Sequence, residues 1–248
     1  MSNIIQKVLN NNKPFIYFHT LLFNKNILDL AVKSGKSIEI DISMDKNGYP
    51  YIGHPLEFYK FKQIIPPLNN LPIEIIVNKA KEAGLFLVLD CKDVRGLPLV
   101  NKIISQYGVE NCLFHSWVKE FRFYPYAPEI TIEPHWDYED LPLNDVLKLK
   151  QETGVPIVCS ARGLTGKRLI NEPDILDRIL ALGSKKIDVF NFNLPNYESP
   201  PKSKIDKLLN LGILTWLNVD HVPTNELPSI YIGISDHVSR TTNLKDFY

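Results

Sequence analysis

The sequence predicts an α/β barrel, in which parallel strands alternate with helices. Short apolar runs rich in β-branched residues alternate along the chain with segments of helical period. Five of those helical segments end at a glycine, which readily takes the left-handed conformation that stops a helix. Charged side chains and histidines follow several of the predicted strands, which is where a barrel carries its functional groups.

The length of the chain fits one such domain. It has 248 residues, and an α/β barrel typically needs about 250. No Gly/Ser/Pro-rich linker divides the sequence, and no internal repeat or low-complexity tract is present. We therefore expect residues 1–248 to form a single barrel domain.

The elements follow from hydrophobic periodicity. The pattern predicts nine strands, at 15–19, 38–43, 85–91, 111–116, 129–135, 156–160, 186–193, 213–219 and 230–235. It predicts helices at 27–35, 73–84, 97–108, 174–183 and 204–212. Because an eight-stranded barrel has room for one strand fewer, either 129–135 or 156–160 is expected to be an inserted or edge element. Periodicity alone does not decide between them.

Charge and cysteine content restrict the partners. Lys and Arg total 28, and Asp and Glu also total 28, so no general field attracts nucleic acid or an anionic membrane surface. The amino terminus lacks a signal-peptide pattern, and no apolar run approaches the length of a membrane span. Cys91, Cys112 and Cys159 are odd in number and far apart, which suits reduced thiols. We expect a cytoplasmic protein without stable membrane insertion.

Carboxylates cluster at the ends of two predicted strands. Glu39 and Asp41 share one face of the second strand, and Asp90 and Lys92 repeat this alternation on the third. Three carboxylates in one site repel one another, and a divalent cation removes that repulsion. Oxygen ligands favour Mg²⁺ or Ca²⁺. Solvated strand-end charges and a Lys92–Asp90 pair are the structural alternative for each residue alone, but the combined set favours a metal site.

Two histidines are candidates for proton transfer. His19 closes the first apolar strand. His54 follows a tight turn at Asn47-Gly48 and a returning extended segment at 49–52, which should place it over the barrel mouth near Asp41. An imidazole exchanges protons near neutral pH. A hydrogen-bonded structural histidine is the alternative for either one.

Three further residues are candidates for substrate contact. Trp216 and Asn218 share a face of a late strand, and His135 shares a face with Glu133 on the segment 129–135. An aromatic wall of a pocket and plain packing are equally compatible with Trp216.

These motifs together resemble the glycerophosphodiester phosphodiesterase superfamily. The matching positions are His19, the pair Glu39 and Asp41, the turn 45–48, His54, and the pair Asp90 and Lys92, with weaker matches at 113–117, 212–218 and 233–236. The family's first histidine is followed by arginine, whereas Thr20 follows it in this chain. In this respect the chain is similar to the sphingomyelinase D branch, whose first histidine is likewise not followed by arginine. The resemblance implies a phospholipase C-like phosphodiesterase of the (β/α)8 TIM barrel type.

The resemblance also implies roles for these residues. Glu39, Asp41 and Asp90 would hold Mg²⁺ or Ca²⁺, Lys92 would neutralise a phosphate, and His19 and His54 would be the acid and base, with the order left open. The expected activity is hydrolysis of a glycerophosphodiester or lysophospholipid in lipid metabolism, with a cyclic phosphate as a possible intermediate or product. The alternatives are a catalytically silent barrel that binds a phosphate ester, and a phosphatidylinositol-type lyase. Oligomeric state is not predicted.

Overall fold

Parallel strands close into a barrel in the computed structural model of this chain. The structure describes residues 15–18, 25–35, 37–56, 60, 72–121, 140–160, 181, 187–193, 214–219 and 231–236. The strands in these ranges are β1 (Phe15–Phe18), β2 (Ser37–Met44), β3 (Pro50–Ile52), β4 (Leu87–Cys91), β5 (Cys112–Trp117), β6 (Ile157–Ser160), β7 (Val189–Asn193), β8 (Leu214–Val219) and β9 (Tyr231–Asp236).

The strand pairing completes a circle. β1 pairs in parallel with both β2 and β9, and the remaining neighbours run in the order β2, β4, β5, β6, β7, β8, β9. β3 lies outside this circle and pairs antiparallel with the end of β2. The barrel prediction is therefore confirmed.

The question of the extra strand is answered in part. β6 covers the predicted strand 156–160 and lies between β5 and β7, so it belongs to the barrel wall. The other candidate, 129–135, lies outside the described residues. The predicted returning segment at 49–52 contains β3.

Four helices and three short 3-10 turns lie between the described strands. The helices are α1 (Lys25–Ser34), α2 (Ile73–Glu82), α3 (Leu97–Tyr107) and α4 (Leu143–Thr153), and the turns are Val94–Gly96, Val109–Asn111 and Lys119–Phe121. The first three helices match predicted segments, whereas α4 was not predicted. α4 ends because Gly154 takes φ 73° and donates its N–H to the Lys150 carbonyl. The predicted helices 174–183 and 204–212 lie outside the described residues, apart from Ala181.

Alternate strand residues divide the protein into two layers. One set packs between the strands and α1–α4; we call it the helix-facing layer. It includes Ile38, Ile40, Ile42, Leu87, Leu89, Cys91, Cys112, Phe114, Ile157 and Cys159. The three cysteines are buried and free, and burial raises the pKa of each thiol. The intervening residues form the interior face, and several of them are charged.

Within the described ranges, no helix has the length and apolar character needed to span a membrane.

Candidate functional site

The polar groups of the interior face meet at the carboxyl ends of the strands. Strand register places Asp41 beside Asp90, and Asp90 beside His115, on three neighbouring strands. Glu39 lies two residues before Asp41 on β2, and Lys92 follows the last residue of β4. Each of the five is at most 4% exposed. Residues more than 70 positions apart in sequence therefore share one buried site because the barrel aligns their strands.

His115, on β5, contacts side chains on three other strands. Its Nδ1 lies 2.9 Å from Asp90 Oδ2 and 3.2 Å from Glu39 Oε1. Its Nε2 is joined by a 2.6 Å hydrogen bond to the Ser160 hydroxyl on β6. These contacts fix the orientation of the imidazole, because both ring nitrogens have partners.

Lys92 lies between two of the carboxylates. Its Nζ donates a 2.6 Å hydrogen bond to Asp90 Oδ2 and lies 3.3 Å from Asp41 Oδ1. Its backbone N–H donates to the Ile42 carbonyl at 2.8 Å, which holds the segment that follows β4 against β2. The ammonium group is consequently buried with its charge compensated.

The excursion after β2 carries His54 to the same place. Asp45 Oδ1 accepts hydrogen bonds from the backbone N–H groups of Asn47 and Tyr49, which stabilises the turn. The Gly53 N–H donates to the Asp41 carbonyl at 3.0 Å. The His54 Nε2 then lies 3.7 Å from Asp41 Oδ2, with its side chain 10% exposed. Of the histidines in the described part of the site, His54 is the more accessible to solvent.

The charges of these groups depend strongly on one another. Burial acts to raise the pKa of Asp90, but the charges of His115 and Lys92 outweigh it and hold that pKa well below its usual range. Burial acts to lower the pKa of His115, but the charge of Asp90 and hydrogen bonds to Asp90 and Glu39 raise it to about 9. Burial raises the pKa of Glu39 to about 8 and also raises that of Asp41. Glu39 and Asp41 are thus the carboxyl groups whose charge is least stabilised.

The donor set fits a metal ion. Glu39, Asp90 and His115 each offer one ligand atom, and these atoms lie within 4.8 Å of one another. Both carboxylate oxygens of Asp41, and Oδ1 of Asp90, are buried and accept no hydrogen bond within the described ranges. A buried polar atom in this state is costly, and a cation beside it removes the cost. The described residues could therefore hold a divalent cation, as the sequence suggested.

A cavity opens at the same end of the barrel, between the segments that follow β2, β4 and β5. Its volume is about 640 Å³, which is within the range of small-molecule pockets. Charged groups of both signs line it, among them Lys46, Arg95, Lys119 and Asp140.

The structure does not reach every predicted site residue. His19 directly follows β1, and both it and His135 lie outside the described residues. Trp216 and Asn218 lie on β8, where their register partners are Asn191 and Asn193 of β7. Their roles, and those of His19 and His54 in catalysis, stay predictions.

Sequence reasoning missed His115 and Ser160 as site residues. His115 alternates with the apolar residues Cys112 and Phe114 of the opposite face on a predicted strand, so its position on the interior face was available from the pattern. Its contacts with Glu39 and Asp90 were not available, because they depend on the register of three strands.

Comparison with known proteins gives the fold. No protein-family model matches the chain, and no curated protein matches it. Among solved structures, it resembles oxaloacetate acetylhydrolase in complex with 3,3-difluorooxalacetate at TM-score 0.50 and 10% identity, covering 96% of this chain and 80% of that one. An HpcH/HpaI aldolase from Desulfitobacterium hafniense gives TM-score 0.47 and 12% identity, covering 94% and 89%. Orotidine 5'-phosphate decarboxylase from Lactobacillus acidophilus gives TM-score 0.47 and 12% identity, covering 94% and 95%.

These findings overturn the family suggested by the sequence motifs. No glycerophosphodiester phosphodiesterase appears among the similar structures, which are aldolase, decarboxylase and enolase-type barrels. The predictions of a phosphodiesterase, of the phosphoric diester hydrolase class, of a glycerophosphodiester substrate and of a role in lipid metabolism were therefore wrong. The silent phosphate-ester-binding barrel is equally unsupported. The motifs misled because carboxylates and histidines at strand ends suit many chemistries on one barrel fold.

Proposed function

We propose that this protein is a divalent-cation-dependent barrel enzyme that moves protons on a small anionic substrate held at the interior face. The observation that carries the proposal is the convergence of Glu39, Asp41 and Asp90 on one buried site beside Lys92. Buried carboxylate oxygens that accept no hydrogen bond require an explanation, and a bound cation supplies one. Carboxylate oxygens suit Mg²⁺, Ca²⁺ and Mn²⁺.

The charge of the site supports an anionic substrate. Lys92 is held at the carboxyl ends of the strands by Asp90 and Asp41, and a bound cation would be the second positive centre there. When bound, such a cation polarises a substrate oxygen and stabilises negative charge that develops on it. An oxygen-rich anion, such as a small carboxylate or 2-oxo acid, can contact both positive centres at once.

The residues of the chain supply proton transfer. Lys92 can donate a hydrogen bond or a proton to a substrate oxygen, because Asp90 fixes the position of its Nζ at 2.6 Å. His54 lies 3.7 Å from Asp41 and is less buried than His115, which suits an imidazole that transfers a proton at the edge of the site. Among the described serines near the site, Ser43 donates to the Gly53 carbonyl and Ser160 contacts His115. The Ser160 hydroxyl, hydrogen-bonded to an imidazole that Asp90 holds in turn, belongs to the same proton-transfer network.

The first test measures cation binding directly. Protein stripped of metal is titrated with Mg²⁺, Ca²⁺ and Mn²⁺ by calorimetry. We expect Glu39→Gln to raise the Kd at least about tenfold, because it removes an anionic ligand. The matched control is Glu74→Gln, an exposed glutamate on α2, which should leave the Kd unchanged. Absence of binding by the wild type, or equal effects of both variants, would contradict the proposal.

The second test looks for proton transfer without knowing the product. A panel of small carboxylates and 2-oxo acids is incubated with the protein in D₂O, and exchange at carbon is followed by proton NMR. Oxaloacetate belongs to the panel because its difluoro analogue is the inhibitor in the structure with TM-score 0.50, although that likeness shows the fold alone. We expect cation-dependent exchange that falls about a hundredfold or more in Lys92→Met. Exchange that is indifferent to chelation or to this substitution would contradict the assigned roles.

A further inference from the structure

We propose that His115 is itself a ligand of the cation, through Nδ1, and that the site consequently selects Mn²⁺, Fe²⁺ or Co²⁺ over Mg²⁺ and Ca²⁺. This inference rests on the proposed cation site and deepens it by naming the class of ion. The sequence had suggested ligands of oxygen only, so it assigned no nitrogen donor to the site.

The spacing of the donor atoms matches a coordination sphere. Nδ1 of His115 lies 2.9 Å from Asp90 Oδ2 and 3.2 Å from Glu39 Oε1. Adjacent ligands of an octahedral ion bound at about 2.1 Å lie about 3.0 Å apart. The nitrogen therefore lies at the distance of a neighbouring ligand from each of the two oxygens, and one ligand atom from each residue lies within 4.8 Å of the other two. Asp41 is not part of this group; its carboxylate contacts Lys92 and His54 instead.

Ser160 orients the imidazole in the way that a metal ligand needs. A histidine that binds a metal through one nitrogen usually donates its other N–H to a nearby oxygen, which fixes the tautomer. The Ser160 hydroxyl lies 2.6 Å from Nε2 and can accept that hydrogen bond. In that tautomer Nδ1 faces two carboxylates, so either a ring proton or a cation must lie between the three atoms. A metal ion that binds there displaces that proton from the ring.

The nitrogen donor changes which ion is preferred. Mg²⁺ and Ca²⁺ are hard cations that bind oxygen, whereas imidazole suits the later first-row divalent ions. Burial of His115, at 4% exposed, holds the ring where it is, so an ion that enters the site cannot avoid the nitrogen. A mixed set of two carboxylates and one imidazole should therefore discriminate against the ions that carboxylates alone would favour.

The decisive experiment detects nitrogen bound to the ion. Protein stripped of metal is loaded with Mn²⁺ and examined by pulsed electron paramagnetic resonance, with unlabelled and with ¹⁵N-histidine protein. We expect a histidine nitrogen coupling that changes with the label, that is lost in His115→Gln, and that persists in His54→Gln. The His54 variant is the matched control because that imidazole contacts Asp41 at 3.7 Å.

Three outcomes separate this inference from the proposed function. Absence of Mn²⁺ binding overturns both. Binding without nitrogen coupling, or coupling that is lost in His54→Gln and kept in His115→Gln, overturns the His115 assignment and leaves the cation site standing. If His115→Gln does not fold, as judged by circular dichroism, His115→Asn replaces it. The comparison of unlabelled with ¹⁵N-histidine wild type still decides whether any histidine is a ligand.

Affinity gives an independent measurement. We expect His115→Gln to raise the Kd of Co²⁺ at least about tenfold while changing that of Mg²⁺ less than about threefold, because only the first ion gains from the nitrogen. Equal effects on both ions would show that His115 organises the carboxylates and does not bind the ion.

Discussion

The two faces of β2 are equally buried and chemically opposite. Ile40 and Ile42 in the helix-facing layer are 0% exposed, and Glu39 and Asp41 on the interior face are 1% exposed. Each buried aliphatic side chain stabilises the fold by about 1.5–3 kcal/mol. Each buried charge costs several kcal/mol unless partners compensate it. The comparison shows that burial alone does not identify a residue's role. The helix-facing layer stabilises the barrel, whereas the charged residues of the interior face do not gain stability from burial and point to a functional role.

The largest effect should come from removing a compensating charge on the interior face. Asp90→Asn leaves Lys92 and His115 buried without their shared anionic partner. We expect a loss of about 3–5 kcal/mol in the free energy of unfolding, measured by urea denaturation. Asp29→Asn is the control, since Asp29 is 55% exposed and pairs loosely with Lys79; it should change stability by less than about 0.5 kcal/mol. Similar losses for both variants would show that these interior charges are not mutually dependent.

A cavity in the helix-facing layer should lower the stability of the fold without changing the affinity for the cation. Leu89 is 0% exposed and neighbours Asp90 on β4 with its side chain in the other layer. Leu89→Ala should lower the free energy of unfolding by about 2–5 kcal/mol. Its cation affinity, measured by calorimetry on the folded protein, should stay within about twofold of wild type. A large loss of affinity would mean that the two faces are coupled through the strand.

The last prediction is a pH dependence of stability in the metal-free protein. Glu39 keeps its proton up to a pKa of about 8 when folded, against an ordinary value of 4.5, so the folded state binds more protons between these values and stability falls as pH rises. His115 adds to this fall between its ordinary value of 6.5 and about 9. With a chelator present, the urea midpoint should decline from about pH 5 to about pH 9. Glu39→Gln should make the decline shallower, and Glu74→Gln should not. A midpoint that rises over this range would contradict the assignment.

The fold could be predicted largely from the sequence because periodicity and chain stops are local signals. Strand β2 and helix α3 lie within about two residues of their predicted bounds, since each pattern is set by its own neighbours. α4 was missed: only Leu143, Val146 and Leu149 are buried along it, so its apolar stripe is narrow and its sequence is mostly polar.

The site could be predicted only in part, for a related reason. Alternation along one strand identified Glu39 with Asp41, and Asp90 with Lys92. The contacts of His115 arise between strands, and nothing local in the sequence specifies that register. Family assignment from motifs was wrong because the same residue types recur at strand ends in barrels that catalyse unrelated reactions.

The alternation of β2, β4 and β5 also bears on how the barrel assembles. A shift of one residue in the pairing of any strand would turn its side chains to the opposite face. For β4 such a slip would place Asp90 among the isoleucines and leucines of the helix-facing layer, and would bring Leu89 beside the charged side chains of the interior face. Misaligned intermediates are therefore penalised on both sides of the wall. The row of Asp41, Asp90 and His115 therefore favours the native strand register, because a slip of one residue would bury these charges among apolar side chains.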